Sequence, residues 1–186
     1  MPGAGDTRRD RELLAGLASG SADAFAELYD RHAVSLYRHA VALTRRAADA
    51  EDLVHAVFVK LATTGAELLG VRAPASYLHR MLHTAWIDGR RRQTTGEQVV
   101  AHAGRETAGW SGVPAGALDQ AIDIARLLDL IPVAEREVIV LHLREGFSFR
   151  DIGRMTGVSL FTAAGRYRQG IGRLRQSFGV RKGEDE

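Results

Sequence analysis

The spacing of apolar residues predicts helices from end to end. No stretch alternates apolar and polar as a strand does. A first helix covers Asp10 to Ala18. A second runs from Ala22 to Arg45, with Phe25, Leu28, Tyr29, His32, Leu36, Ala40 and Leu43 along one face. A third begins at Asp49, read as its N-cap, with Asp52 three residues on as in a capping box, and buries Leu53, Val54, Val57, Phe58 and Leu61. A fourth starts near Pro74, which suits a first helical turn, carries Tyr77, Leu78, Met81, Leu82, Ala85 and Trp86 on its apolar stripe, and ends in Arg90, Arg91 and Arg92. Between Gln93 and Gly116 the period is lost in a run rich in Gly, Thr and Ala, a linker by composition. Helical spacing resumes at Leu118, breaks at Pro132, and continues over Val133 to Arg144, where Glu145-Gly146 turns the chain. The expected architecture is all-α: a helical unit over residues 10–92, a linker over 93–116 and a second unit over 117–180.

The last third has the form of a helix-turn-helix. Ser148 caps a short helix bearing Ile152 and Met155, Gly157 supplies the turn, Val158 fills the angle between the helices, and Ser159 caps the second helix. That helix places Leu160, Ala164, Tyr167, Ile171, Leu174 and Phe178 on a core face centred on Tyr167. Its far side is slim, formed by Thr162, Gly165, Gln169 and Gly172, with Arg166 and Arg173 on one flank and Arg168 and Arg175 on the other. A helix entering a major groove has this shape, small at the floor and cationic at the phosphate walls. Three interior glycines each weaken a helix by roughly 1 kcal/mol relative to Ala. The reading assigns Gly165 and Gly172 to close approach of a partner, and Gly170 to close helix packing.

Composition narrows the function classes. The 186 residues are 45% hydrophobic and 26% charged, a globular balance, and include no cysteine, which excludes disulfides and thiolate metal sites. The charged N-terminus has no apolar signal core and no apolar run approaches a membrane span, so the protein is expected in the cytoplasm. Net charge is only +2, but it is uneven. Residues 144–182 hold nine Arg/Lys against Glu145 and Asp151, whereas residues 97–137 hold seven acids against three arginines. Two basic patches about an acidic stretch suit two contacts with a polyanion. His79 and His83 are one helical turn apart, as in a two-histidine metal site, but no carboxylate at suitable spacing completes a set. No Ser-His-Asp order, P-loop or dinucleotide glycine pattern occurs, so neither enzyme nor cofactor is expected.

Three stretches, in order, carry a resemblance. DAEDLVHAVFVKL (Asp49 to Leu61) resembles the polymerase-binding segment of the extracytoplasmic-function sigma factors of bacterial RNA polymerase, in the sigma-70 family. YLHRMLHTAWIDGRRR (Tyr77 to Arg92) is similar to their promoter-melting helix, and LIPVAEREVIVLHLREGFSFRDIGRMTGVS (Leu130 to Ser159) to their C-terminal helix-turn-helix. The resemblance runs from about Ala24 to Phe178. It implies that Asp49, Glu51, Asp52 and His55 dock on the β′ clamp helices of core RNA polymerase, with the β flap as a further contact. It implies that Arg72, His79, Arg80, His83, Thr84, Arg90, Arg91 and Arg92 meet the minus-ten element and hold its non-template strand, with the loop Thr63 to Ala73 forming a pocket for a flipped base. Trp86 lies on the apolar stripe and is expected in the core. The same resemblance has Ser159, Leu160, Phe161, Thr162, Gly165, Arg166, Arg168, Gln169, Arg173 and Arg175 read the minus-thirty-five element in duplex DNA. The acidic linker would occupy the RNA exit path, and an anti-sigma factor is a further implied partner. The chain departs from the family pattern at His55-Ala56, His83-Thr84 and Ala163-Ala164. The rival function is a stand-alone helix-turn-helix regulator, which accounts for the C-terminal third but not for the DAEDLV segment or the basic end of the fourth helix.

Overall fold

The computed structural model describes residues 4–94, 116, 120–121 and 128–177; the linker, most of the predicted helix after Leu118, and Phe178 onward lie outside the described residues. The described regular structure is helical: α1 (Ala4–Ala18), α2 (Ala22–Thr44), α3 (Ala47–Thr64), a 3-10 segment (Gly65–Gly70), α4 (Pro74–Thr94), a 3-10 turn (Leu128–Leu130), α5 (Val133–Ile139), a π-helical segment (Val140–Arg144), α6 (Phe149–Thr156) and α7 (Leu160–Ser177).

Local chemistry explains most boundaries. Ser21 caps α2 by accepting the Ala24 N–H at 3.2 Å, and α2 ends where Arg45 adopts a left-handed φ of 66° and returns its N–H to Val41. Two starts differ from expectation. The first helix begins at Ala4 rather than Asp10, because Arg31 of α2 grips Asp6 (3.1 Å) and Asp10 (2.8 Å) together and so ties the extra turn down. α3 begins at Ala47 with Arg46 in the cap position, so Asp49 lies inside the first turn, paired with Arg46 at 3.6 Å. An acid there still faces the positive helix end, but no capping box with Asp52 forms.

α1 to α4 close around one apolar core of Leu14, Leu28, Leu36, Tyr37, Val54, Val57, Phe58, Leu61, Leu78 and Leu82, extended by the ring contacts of Phe25 and Tyr29 on Phe58. Each such leucine contributes about 1.5–3 kcal/mol on burial. The stretch expected as the loop Thr63 to Ala73 is mostly helical, because Leu68 turns into this core and fixes the 3-10 segment. Ala47–Gly70 is long and apolar enough, by length and composition, to cross a membrane, at a mean hydropathy of 1.3, which corrects the expectation that no run is. In the fold its Ala50, Val54, Val57, Phe58 and Leu61 are buried in the bundle.

A second core joins Val138, Leu141, Phe147, Ile152, Met155 and Ala163 of the C-terminal helices. A third bridges the units: Ala42 of α2 packs with Leu128, Ile131, Ile139 and Val140, with Ile171 and Leu174 of α7 against them. The two helical bodies are therefore packed on each other, α5 against α2 and α6 against α4.

Candidate nucleic-acid interface

The helix-turn-helix is built as the local sequence dictates. Ser148 Oγ accepts the Asp151 N–H at 3.2 Å and starts α6; Gly157 takes a left-handed φ of 73° and returns its N–H to Gly153. Ser159 Oγ then accepts the Thr162 N–H at 3.0 Å and starts α7. Val158 is half-buried against the C-terminal core, in the angle between the helices.

The face of α7 is turned from the expected one. Its buried residues are Ala163 and Gly170, with Tyr167, Ile171 and Leu174 half-buried beside them, whereas Leu160 stays 40% exposed. At about 100° per residue, Ala163 and Gly170 lie about 40° and 60° to the same side of Tyr167. This turn occurs because Gly170 rather than Tyr167 marks the closest approach to α5: a Cβ at Gly170 would lie 2.8 Å from Ile139 Cδ1 and 3.2 Å from Glu135 Cβ. The packing reason expected for Gly170 holds. The turn brings one arginine flank inward. Arg166 is half-buried, and Arg173, still exposed, pairs with Glu135 at 3.2 Å.

Phe161 (81% exposed), Thr162, Arg168, Gln169 and Arg175 are exposed on α7, and nothing within 4 Å would meet a Cβ at Gly165 or Gly172. This surface combines an apolar ring, polar edges, cations and bare backbone. Those are the elements of groove recognition, where phosphates are held by cations and thymine methyls by apolar groups.

On α4 and in the turn before it the predicted set divides. Arg72, Arg80, Thr84, Arg90, Arg91 and Arg92 are exposed. The Arg90 guanidinium stands 5.4 Å from the Trp86 ring centre, and Trp86 is half-buried against the N-terminal core, as expected from its stripe. His79 and His83 are not surface groups, which corrects their assignment to a DNA-facing surface. His79 is 1% exposed, facing His39 and Ser35, and His83 gives Nδ1 to Glu137 at 2.6 Å. The two rings turn to different partners. Arg72 and Arg80 line a cleft of about 420 Å³ with Tyr77, Asp151 and Arg154, where α4 meets α6.

On α3, Asp49, Asp52 and His55 are exposed and Glu51 is half-buried; burial, with the Asp52 charge beside it, pushes the Glu51 carboxyl up from its ordinary value. One exposed acidic face therefore runs along the start of the helix.

The sequence reading missed a polar seam between the two units. Arg38 holds Glu145 with Nε at 2.6 Å and Nη2 at 3.0 Å, and Ser35 donates to the same carboxylate. His39 and His83 both reach Glu137 Oε1. Burial acts to raise the Glu137 carboxyl, but hydrogen bonds and charge from His39 and His83 outweigh it and hold Glu137 at about 2. Arg136, 1% exposed, donates to the Ala42 carbonyl and to Asp129; burial, then the Arg45 charge, lowers it to about 10. The acidic stretch read from the sequence is thus partly interior, with Glu135 and Glu137 buried. The one available signal was the ERE triplet inside an apolar helical pattern, where charges need partners.

Comparison with known proteins bears on the family and the fold. Residues 28–95 match the family model "Sigma-70 region 2". The chain is similar to RNA polymerase sigma factor CarQ of Myxococcus xanthus, 32% identical with 86% of this chain and 92% of the relative covered. It is also similar to ECF RNA polymerase sigma factor SigM of Mycobacterium tuberculosis, 29% identical with 92% and 86% covered. Among solved structures, CnrH in complex with the cytosolic domain of CnrY has the same fold, with a TM-score of 0.66 at 24% identity, over 92% of this chain and 98% of that one. RpoE in complex with the anti-sigma factor NepR from Bartonella quintana gives 0.62 at 21% identity, over 84% and 99%. Capped helix-turn-helix, basic α4 and near full-length similarity converge, and the chain belongs to the extracytoplasmic-function sigma factors of bacterial RNA polymerase.

Proposed function

We propose that this sigma factor docks on core polymerase through the exposed start of α3, with Asp49, Glu51, Asp52 and His55 meeting the β′ clamp helices. α4 then holds the melted non-template strand of the minus-ten element through Arg72, Arg80, Thr84 and Arg90 to Arg92. α7 reads the minus-thirty-five duplex with Phe161, Thr162, Arg168, Gln169 and Arg175. Residues 10–92 and 117–180 act as the two recognition domains, with 93–116 as the connection through the RNA exit path. Melting involves no covalent chemistry; it needs unstacked bases trapped on a cationic surface. The observation that carries the reading is the open face of α7, with Gly165 and Gly172 bare and Phe161 exposed beside Arg168. An anti-sigma protein is the proposed inhibitory partner, by analogy with the complex of RpoE with the anti-sigma factor NepR.

The test is transcription from a randomised promoter library with core RNA polymerase, with and without this protein. Initiation that requires both, with two enriched sequence blocks, is the expected result. A chain that shifts specific duplex DNA alone and supports no initiation would be a stand-alone regulator, and the reading would fail.

A further inference from the structure

Phe161 exposes 81% of its surface, more than any other large apolar side chain among the described residues, and it belongs to none of the three cores. A single exposed apolar residue is ordinary on a protein surface; its place on α7 is what sets this one apart. At about 100° per residue Phe161 stands 180° around the helix from Gly170, where α7 comes closest to α5. It is therefore the side chain aimed most directly away from the fold. Within about 40° of it on the same stripe lie Gly165, Arg168, Gly172 and Arg175. A Cβ at Gly165 or Gly172 would meet nothing within 4 Å, and Arg168 and Arg175 are exposed. The outward stripe thus carries one aromatic ring, two cations and bare backbone between them.

The position along the helix matters as much as the face. Phe161 is the second residue of α7, in a first turn fixed by Ser159, whose Oγ accepts the Thr162 N–H at 3.0 Å and lies 2.9 Å from the Thr162 hydroxyl. Helical side chains lean towards the N-terminus, so the ring projects at the leading end of the helix. In a helix-turn-helix that end of the second helix meets the base edges. A phenyl ring has neither donor nor acceptor, so it cannot read the hydrogen-bonding pattern of a base. It can discriminate only by shape and apolarity. In the major groove the apolar group on a base edge is the C5-methyl of thymine. Cytosine presents an amino donor in the same groove, and a phenyl ring laid over it would remove water from that donor and give nothing back.

We propose that Phe161 is a specificity-determining residue: it selects thymine, through the C5-methyl group, at one position of the duplex element that α7 enters. Arg168 and Arg175, two helical turns apart on the same stripe, supply the phosphate contacts that keep the ring in register. The bare backbone at Gly165, one turn beyond the ring, lets the helix sink until ring and methyl touch. The inference rests on α7 as the recognition helix, proposed above, and adds which base that helix demands and which side chain demands it.

Randomised duplex DNA is selected by retention on the full chain, both alone and assembled with core RNA polymerase. The enriched duplex is then synthesised with each thymine of the selected block replaced in turn by deoxyuridine, which lacks only the methyl group. The expected result is one thymine whose replacement weakens binding about fourfold, the worth of one methyl group taken out of water. Phe161→Ala binds the thymine and deoxyuridine forms of that position equally, and Phe161→Leu, which keeps an apolar group there, restores the preference for thymine. Phe161 packs into no core, so the alanine variant keeps its fold, which circular dichroism checks. The ratio between two DNA forms is also unmoved by a general loss of structure. A parent indifferent to every methyl overturns the assignment, and so does a chain that retains no duplex in either format. Weaker binding of both DNA forms by Phe161→Ala, with the fourfold ratio kept, overturns it too and places the ring on the polymerase. Failure of the sigma reading would show instead as retention by the chain alone with no initiation, and the thymine comparison would still be made on that duplex.

Discussion

Replacing glycine by alanine adds the same carbon at every position, yet the structure assigns opposite outcomes to three sites in the helix-turn-helix. At Gly153 the new Cβ would meet the Val158 carbonyl oxygen at 2.7 Å and the Leu160 nitrogen at 3.4 Å. Both are backbone atoms of the turn and cannot swing aside. Alanine gains about 1 kcal/mol in helix propensity, but forcing an atom into a packed site costs about 1–3 kcal/mol, at the upper end where backbone must move. Gly153→Ala is therefore expected to lose about 1–2 kcal/mol net. At Gly172 nothing lies within 4 Å, so the propensity gain stands alone and stability should rise by up to about 1 kcal/mol. Gly170→Ala falls between, because its closest obstacle is the mobile end of Ile139 while the Glu135 Cβ behind it is fixed. Urea denaturation followed by far-UV circular dichroism ranks the three. The expected order of midpoints is Gly172→Ala above the parent and Gly153→Ala lowest. A Gly153→Ala chain as stable as the parent would refute the close approach, and a destabilised Gly172→Ala would refute the open face. Promoter binding by the polymerase holoenzyme then separates fold from function. If α7 lies deep in the groove, Gly165→Ala and Gly172→Ala weaken binding although both chains are more stable.

Other outcomes follow from the same geometry. Arg136→Met should lower stability by about 1–3 kcal/mol, since it leaves the Ala42 carbonyl without its side-chain donor and Asp129 with Arg45 alone; a urea midpoint equal to the parent's would show that these bonds carry no stability. In acid, Glu137 and Asp10, both held below their ordinary values, contribute stability that is present above the usual carboxylate range and lost as pH falls through it. For Glu137, lowered from 4.5 to about 2, the contribution is on the order of 3 kcal/mol, lost between about pH 4.5 and 2. Glu137→Gln should make the acid-unfolding curve shallower over that range. Arg168→Ala should weaken promoter binding by about 1–3 kcal/mol if the side chain reads a base, or reduce the salt slope by about one if it holds a phosphate. Arg173→Ala, engaged with Glu135, should change the urea midpoint more than the salt slope; equal effects of the two on DNA binding would contradict the rotated face of α7.

Interactions that close within one helical turn were legible before any coordinates. Ser148 capping Asp151, the left-handed Gly157, Ser159 capping Thr162 and the long apolar stripe of α2 depend only on neighbours along the chain, and the residue types specify them. The exposed arginines of α4 and the exposed acids at the start of α3 were legible too, because they lie off the apolar stripe of their own helix. Three things required the tertiary fold. The start of α3 moved to Ala47, because several residues near Asp49 are compatible with a helix start. The buried face of α7 moved towards Ala163 and Gly170, because a glycine carries no hydrophobic signal and shows its packing role only when α5 lies on it. The seam was invisible, because His39 and Glu137 are 98 positions apart and Arg38 and Glu145 are 107 apart. A charged residue reads as solvated until a distant element removes its water, and the docking of two helical units decides which charges lose it.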